Sequence, residues 1–324
     1  MTEHEEIRKD IKNRFNLLYL VFGILFLAVV YLWQKDPALV PTAARDADGR
    51  DQVFIGQAQE PTPPRVKIFE TPENIEFAGE SVPIRQPDVL ERLEREIYVN
   101  AYWESNTVLM MKRAGKYFPA IEKMLAENGI PEDFKYIALI ESGLLNVVSP
   151  AGARGFWQLM PGTATDFGLE VSDDVDERYH WEKSTLAACK YLRAGYGKFG
   201  NWTSVAASYN IGIAGLNRRI NDQQVPEYYN LYLNEETSRY MFRALALKEL
   251  FEHSLKYGFE LQASDLYQLP MLREYVVDTS IPSLTTWAIQ HGSNYKELKI
   301  YNPWLRSEKL SVGRGKSYLI LLPV

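Results

Sequence analysis

From Pro87 to about residue 260, apolar residues recur at helical spacing and almost nothing alternates. In PDVLERLEREIYVNAYW, Leu90, Leu93, Ile97 and Ala101 fall on one stripe, with charges elsewhere. YFPAIEKMLAENG repeats the pattern and stops at Gly129, and STLAACKYLRAGYGKFG, WTSVAASYNIG and EETSRYMFRALALKELFEH read the same way. This periodicity restricts residues 88–262 to a mainly α body with short, glycine-containing connections. The end of the chain differs. EYVVDTS reads as a strand, PSLTTWAIQHG and NYKELKIYNP as short helices, and KSYLILLPV as a closing strand. A small βααβ module is expected over 270–324, reached through a hinge at Leu266–Pro270.

Before the body lie two stretches of other texture. FNLLYLVFGILFLAVVYLW, residues 15–33, is 19 residues without a charge, close to the roughly 20 that span a bilayer. Arg8, Lys9, Lys12 and Arg14 precede it and only Lys35 follows closely. That asymmetry predicts a transmembrane anchor with residues 1–14 as a cytoplasmic tail and the remainder across the inner membrane, in the periplasm. A cleaved signal peptide is the competing reading, because PTAAR offers small residues. Residues 34–87 hold eight of the 17 prolines and are expected to be an extended linker giving reach from the membrane.

Composition excludes several classes of function. The net charge of -6, without a Lys/Arg-rich cluster, gives no push toward nucleic acid. Cys189 is the single cysteine, so there is no intrachain disulfide and no cysteine near the N-terminus to carry lipid. His4, His180, His253 and His291 are scattered, none at ligand spacing from Cys189, so no metal site is expected. No glycine-rich loop matches a nucleotide or dinucleotide pattern, and no cofactor is expected.

Chemistry concentrates in four segments. In YIALIESGLL, Glu141 extends the stripe of Phe134, Ile137 and Ala138, which points a carboxylate toward apolar walls at the end of a helix. Such a setting raises a carboxyl pKa and suits a general acid. SPAGARGFWQLMPGTA, residues 149–164, reads either as a tight connection burying Phe156 and Trp157, or as a loop whose backbone approaches a ligand while Gln158 presents an amide. In AASYNIGIAGL, Tyr209 and Asn210 stand at a helix end, fit either to cap it or to bind sugar hydroxyls. In LNEETSRYMF, Glu236 and Tyr240 are i,i+4 neighbours on one helix face.

In this order and spacing, ALIESG, SPAGARGFWQLMPGTA, AASYNIG and ETSRY resemble the lysozyme-like lytic transglycosylases with an SLT-type catalytic domain, most of all the membrane-bound lytic transglycosylase D group. The resemblance covers roughly residues 88–260. The C-terminal module is similar to a degenerate LysM domain. The resemblance implies cleavage of the β-1,4 bond between N-acetylmuramic acid and N-acetylglucosamine in peptidoglycan, leaving 1,6-anhydro ends. It implies that Glu141 is the single catalytic acid and then base, and that Ser149, Gln158 and Met160 line the cleft. Tyr209 and Asn210 match the family's YN pair. Glu236 matches the acid of its ET…Y segment, which runs to Tyr240, and both are assigned to substrate binding. The alternative is a non-catalytic peptidoglycan-binding or scaffolding protein of the cell envelope. A hydrolysing muramidase would need a second carboxylate, for which Asp166 and Glu236 are the candidates.

Overall fold

The structure is a computed structural model that describes residues 67–324 and, of the preceding backbone, two strands, β1 (Ala43–Arg45) and β2 (Asp51–Val53). These pair antiparallel, with Ala43 opposite Val53. The expected anchor at 15–33 and tail at 1–14 lie outside the described residues, among which no helix is long and apolar enough to cross a membrane.

The body is helical, as the periodicity predicts. Helix α1 (Pro87–Tyr102) starts with proline in its first turn and Asp88 beside it, a combination suited to the free N–H groups and positive dipole of a helix start. It buries Val89, Leu93, Ile97 and Ala101. The buried stripe thus begins at Val89, with Leu90 only half-buried. Helix α2 (Glu104–Glu127) ends where Asn128 and Gly129 turn the chain. A short 3-10 turn, Glu132–Phe134, leads into α3 (Lys135–Ser142). Helices α4 (Pro161–Asp166), α5 (Trp181–Phe199), α6 (Trp202–Ile211) and α7 (Ile213–Gln223) follow. Helix α8 (Glu235–Glu252) runs through the centre and packs on α1, α3 and α6. Its buried residues include Tyr240, Met241, Phe242, Ala244 and Leu245, so its middle is covered on nearly every side.

The expected linker at 34–87 is folded at its C-terminal end. A hairpin of β3 (Glu76–Phe77) and β4 (Glu80–Ser81) lies on the body, with Ile75, Phe77 and Val82 in the main core. Its hold is polar as well as apolar. Asp133 accepts from Ala78 N at 2.6 Å and pairs with Lys248 at 2.7 Å. Glu80 accepts from the N–H groups of Trp202 and Thr203 at the start of α6, at 2.6 and 2.8 Å, where a carboxylate meets the positive helix end. Proline content hid this hairpin because three apolar side chains are too few to set a period.

The C-terminal module has the expected order: β5 (Leu272–Val277), α9 (Leu284–Gln290), α10 (Tyr295–Tyr301) and β6 (Tyr318–Pro323). The strands pair antiparallel from Leu272–Pro323 to Val277–Tyr318. Its core takes in two residues from the helical body, Val175 and Tyr179, beside Leu284, Leu298, Trp304 and Ile320. Asp176 N donates to Trp304 O at 2.9 Å, and Arg306 N to Asp174 O at 2.8 Å. The stretch expected as a hinge lies along α2, with Tyr267 N donating to Lys112 O and Leu266 against Gly115. A chain ending at Leu261 keeps the main core and should fold. It exposes Val175 and Tyr179, however, so its stability should fall by on the order of 3 kcal/mol, read as a lower urea midpoint. An unchanged midpoint would mean that this docking adds nothing.

Candidate active site

Glu141 owes its position to the composition of α3. Tyr136 to Ile140 are all buried, so the short helix is enclosed on every side and delivers its last turn from the interior to the surface. Gly143, at φ +60°, ends it in a left-handed turn that glycine adopts at no steric cost. Glu141 is half-buried. Tyr240 Oη of α8 donates to its Oε1 at 2.5 Å. Burial pushes the Glu141 pKa up to about 7, against the pull of the Tyr240 hydrogen bond and the Arg243 charge, while the Glu236 charge adds to the rise. Tyr240 itself is 1% exposed. Burial, followed by the adjacent Glu141 charge, holds its hydroxyl well above the usual tyrosine range, so it stays a donor.

The Tyr–Asn pair ends the neighbouring helix α6. Tyr209, at the end of α6, donates its hydroxyl to Trp157 O at 2.7 Å. Its pKa is raised by burial first and then by the Glu141 charge, which sets it near that carboxylate. Asn210 Nδ2 donates to Glu236 Oε1 at 3.2 Å, and Asn210 Oδ1 accepts from Thr237 Oγ1 at 2.8 Å. The Tyr–Asn pair therefore joins α6 to α8 and to the 149–160 loop at once. Glu236 is exposed, on the same helix as the buried Tyr240.

The 149–160 loop is tied at both edges. Ser142 Oγ donates to Phe156 O at 2.8 Å, linking the end of α3 to it. Ser149 Oγ accepts from Ala153 N at 3.0 Å. Gln158 sits at φ +45°, and its Nε2 donates to Gly155 O at 2.7 Å and Val147 O at 3.1 Å, so this N–H side braces the loop. Trp157 is wholly buried and donates to Thr185 Oγ1 at 2.8 Å. Met160, 43% exposed, stands at the start of α4. No hydrogen bond among the described residues links Ser149 or Met160 to Glu141. The tight-connection reading of the segment holds, since Phe156 and Trp157 are buried, whereas Gln158 turns its amide N–H into the loop instead of presenting it.

Beneath the loop lies an arrangement that the sequence did not signal. Arg178 and Asp176, each 2% exposed, pair at 2.7 Å. Arg178 Nη1 donates to the carbonyls of Gly152 and Leu159 at 3.1 and 3.3 Å. Arg243 was missed as well, although its place three residues after Tyr240 puts it on the neighbouring row of α8. Asp166, one of the candidates for a second carboxylate, is exposed and does not enter the set of charges acting on Glu141. Among the described residues no group of three or more His, Cys, Asp or Glu could hold a metal ion.

A proton-holding carboxyl at a helix end, under a buried tyrosine and beside a tied loop, is an arrangement suited to acid–base chemistry on a ligand crossing the surface. Residues 118–232 match the family model of the transglycosylase SLT domain, and residues 273–324 that of the soluble lytic transglycosylase C-terminal LysM-like domain. The chain therefore carries an SLT domain followed by a LysM-like domain. Glu236 and Tyr240 lie beyond the matched part of the first.

The chain is similar to the membrane-bound lytic murein transglycosylase D of Escherichia coli (strain K12), at 24% identity over 254 residues, covering 76% of this chain and 54% of that protein. The same protein from a second Escherichia coli strain matches equally. The chain thus spans about half the length of these curated relatives. Among solved structures, an inactive mutant of the lytic transglycosylase Slt from Pseudomonas aeruginosa aligns at 20% identity and a TM-score of 0.35, over 44% of this chain and 24% of that one.

Proposed function

We propose that the protein is a peptidoglycan lytic transglycosylase with a lysozyme-like catalytic body, in which Glu141 is acid and then base. The observation that carries the reading is the Glu141 carboxyl, held near pKa 7 by burial with Tyr240 Oη on its Oε1. A protonated carboxyl at neutral pH can give its proton to the departing glycosidic oxygen. The substrate's N-acetyl group stabilises the developing cation. Glu141, now ionised, takes the proton of the muramyl 6-hydroxyl, which attacks the anomeric carbon and closes the anhydro ring. The donated proton is replaced by this one, so no water is consumed. Tyr240 keeps the carboxyl oriented in both protonation states. Tyr209, Asn210, Ser149, Gln158 and Met160 shape the cleft around the sugar. The SLT and LysM-like matches, together with the name of the Escherichia coli relative, support this choice of substrate and a place in the envelope. The anchor at 15–33 would hold the body on the periplasmic side of the inner membrane.

Purified peptidoglycan sacculi incubated with the protein should clear, releasing soluble muropeptides. Co-sedimentation with no clearing would favour the binding or scaffolding role instead.

Glu236 has a narrower part in this scheme. It is exposed, bonded to Asn210, and its charge raises the Glu141 pKa. Removing it in Glu236→Ala leaves Asn210 Nδ2 without its partner, while the Thr237 bond to Oδ1 stays, and lowers the proton affinity of the acid. Turnover should drop about tenfold to a hundredfold, with the melting temperature within about 2 °C of wild type. Full activity would return Glu236 to an ordinary solvated helix face.

A further inference from the structure

Beside the C-terminal end of α3 lies a cavity of about 330 Å³, walled by α1, α2, α8 and the turn after Ser142. Its polar lining is cationic: Arg113 from α2 meets Arg239 and Arg243 from α8, and Glu96 is the carboxylate among the lining residues. Glu96 is already committed. It is 2% exposed and takes two N–H bonds from Arg239, at 2.7 and 3.3 Å. Arg113 and Arg243 stand in no ion pair among the described residues. Arg113 Nε donates to Gly143 O at 2.6 Å, and Arg243 Nη2 to Ile140 O at 2.8 Å. The plain account is that both cap the free carbonyls at the end of α3. That account uses one N–H of the five on each guanidinium. Partial burial lowers the Arg113 pKa from its usual value, with Tyr267 opposing, as expected of a cation short of counter-charge. Trp103, 58% exposed, and Asn106 also line it.

We propose that this cavity is an anion subsite adjoining the acid, which takes a carboxylate of the peptide carried by a muramyl residue. The inference rests on the transglycosylase reading and names a further part of its substrate. Ser142 and Gly143, the two residues after Glu141, line the cavity, so a strand held at Glu141 brings its muramyl substituents alongside. The anions of such a strand are carboxylates, and a guanidinium fork matches a carboxylate in two parallel hydrogen bonds. A free lactyl carboxylate on a peptide-less strand has the same chemistry. The peptide is favoured because the cavity offers more room than one carboxylate fills, with an indole for its apolar part.

The test compares glycan strands bearing stem peptides with the same strands stripped of peptide by an amidase. Arg113→Gln should raise KM about tenfold on the peptide-bearing strands, the worth of a charge-assisted hydrogen bond. On stripped strands KM should change less than about twofold, with kcat held on both. Asn106→Asp, which leaves the Arg113–Gly143 contact in place and adds a negative charge to the cavity, should show the same contrast. A rise confined to the stripped strands, whose lactyl carboxylate the amidase sets free, would move the anion there, and an equal rise on both would show that Arg113 acts without the peptide; either result overturns the peptide assignment. No rise on either would leave the arginines as helix caps. If the wild type cleaves neither substrate, the transglycosylase reading falls, and the subsite is judged by co-sedimentation with the two strand types, where the same contrast is expected.

Discussion

Glu141→Gln is expected to abolish cleavage, by at least about a thousandfold in turnover, while binding of glycan strands stays within a few-fold of wild type. The amide matches the carboxyl in shape and can still accept from Tyr240, but it has no acidic proton to give. The pH dependence of the wild type follows from the same group. With the Glu141 pKa near 7, the proton is present below that value, so turnover should fall as pH rises past about 7. Stability carries a matching signature. A carboxyl whose folded pKa is raised contributes stability that is fully present below its ordinary value near 4.5 and is lost as pH rises through about 7. Glu141→Gln does not ionise, so above pH 7 it should be the more stable protein by on the order of 2 kcal/mol, allowing for the solvent that reaches the half-buried side chain. At pH 4 the two should agree. Urea midpoints at the two pH values check this. A variant that keeps more than a few per cent of wild-type turnover would remove Glu141 from the role of acid.

Gly155→Ala is expected to have the largest effect on the fold around the cleft. Gly155 sits at φ +78°, and a Cβ built on it would lie 1.8 Å from the carbonyl oxygen of Arg178. That oxygen is backbone and cannot swing aside as a side-chain tip could. The chain bearing it is fixed from three directions, by the Arg178–Asp176 pair, by the bonds from Arg178 to Gly152 and Leu159, and by Asp176 N on Trp304 O. One of the two backbones must therefore move. If the loop yields, it carries Gln158 away, together with the Trp157 carbonyl that holds Tyr209. We expect a loss of roughly 3 to 5 kcal/mol in stability, from clash and left-handed strain together, with cleavage reduced by more than about tenfold. Gly152→Ala is the control. Gly152 also has positive φ, at +88°, but nothing lies within 4 Å of its added Cβ. It should cost only about 1–2 kcal/mol of backbone strain. Similar losses from the two variants would mean that close packing at Gly155 is not what matters.

The periodic helices and the βααβ order were legible because each rests on local spacing. The helix carrying Glu141 was legible because five apolar residues run straight into one acid between a proline and a glycine. What the sequence could not supply were pairings across long separations. Tyr240 stands 99 residues from Glu141, and nothing in ETSRYMF marks the tyrosine as the partner rather than the exposed Glu236. Gln158 read as a presented amide, yet its Nε2 is turned into the loop, where it meets the Gly155 and Val147 carbonyls. Val175 and Tyr179 gave no signal because irregular segments have no period, and their burial depends on a module that begins about a hundred residues later. The hairpin at 76–81 was lost inside a proline-rich stretch for a related reason. Its anchors, Asp133, Lys248 and the start of α6, all lie elsewhere in the chain.

In the proposed reaction a single carboxyl group does the work of acid and base, with the substrate's own hydroxyl as nucleophile. This bears directly on the products. Among the described residues, Glu236 is the other carboxylate whose charge registers on Glu141, and it is bonded to Asn210. A hydrolysing route would need such a group to activate water or to attack the sugar. Mass spectrometry of the muropeptides released from purified sacculi separates the two, because a hydrolysed end carries one more water than an anhydro end. The released chains should carry 1,6-anhydromuramyl ends, none reducible by borohydride. Reducing muramic acid ends, lost in both Glu141→Gln and Glu236→Ala, would contradict the single-carboxyl reaction and make Glu236 the second catalytic carboxylate of a hydrolase.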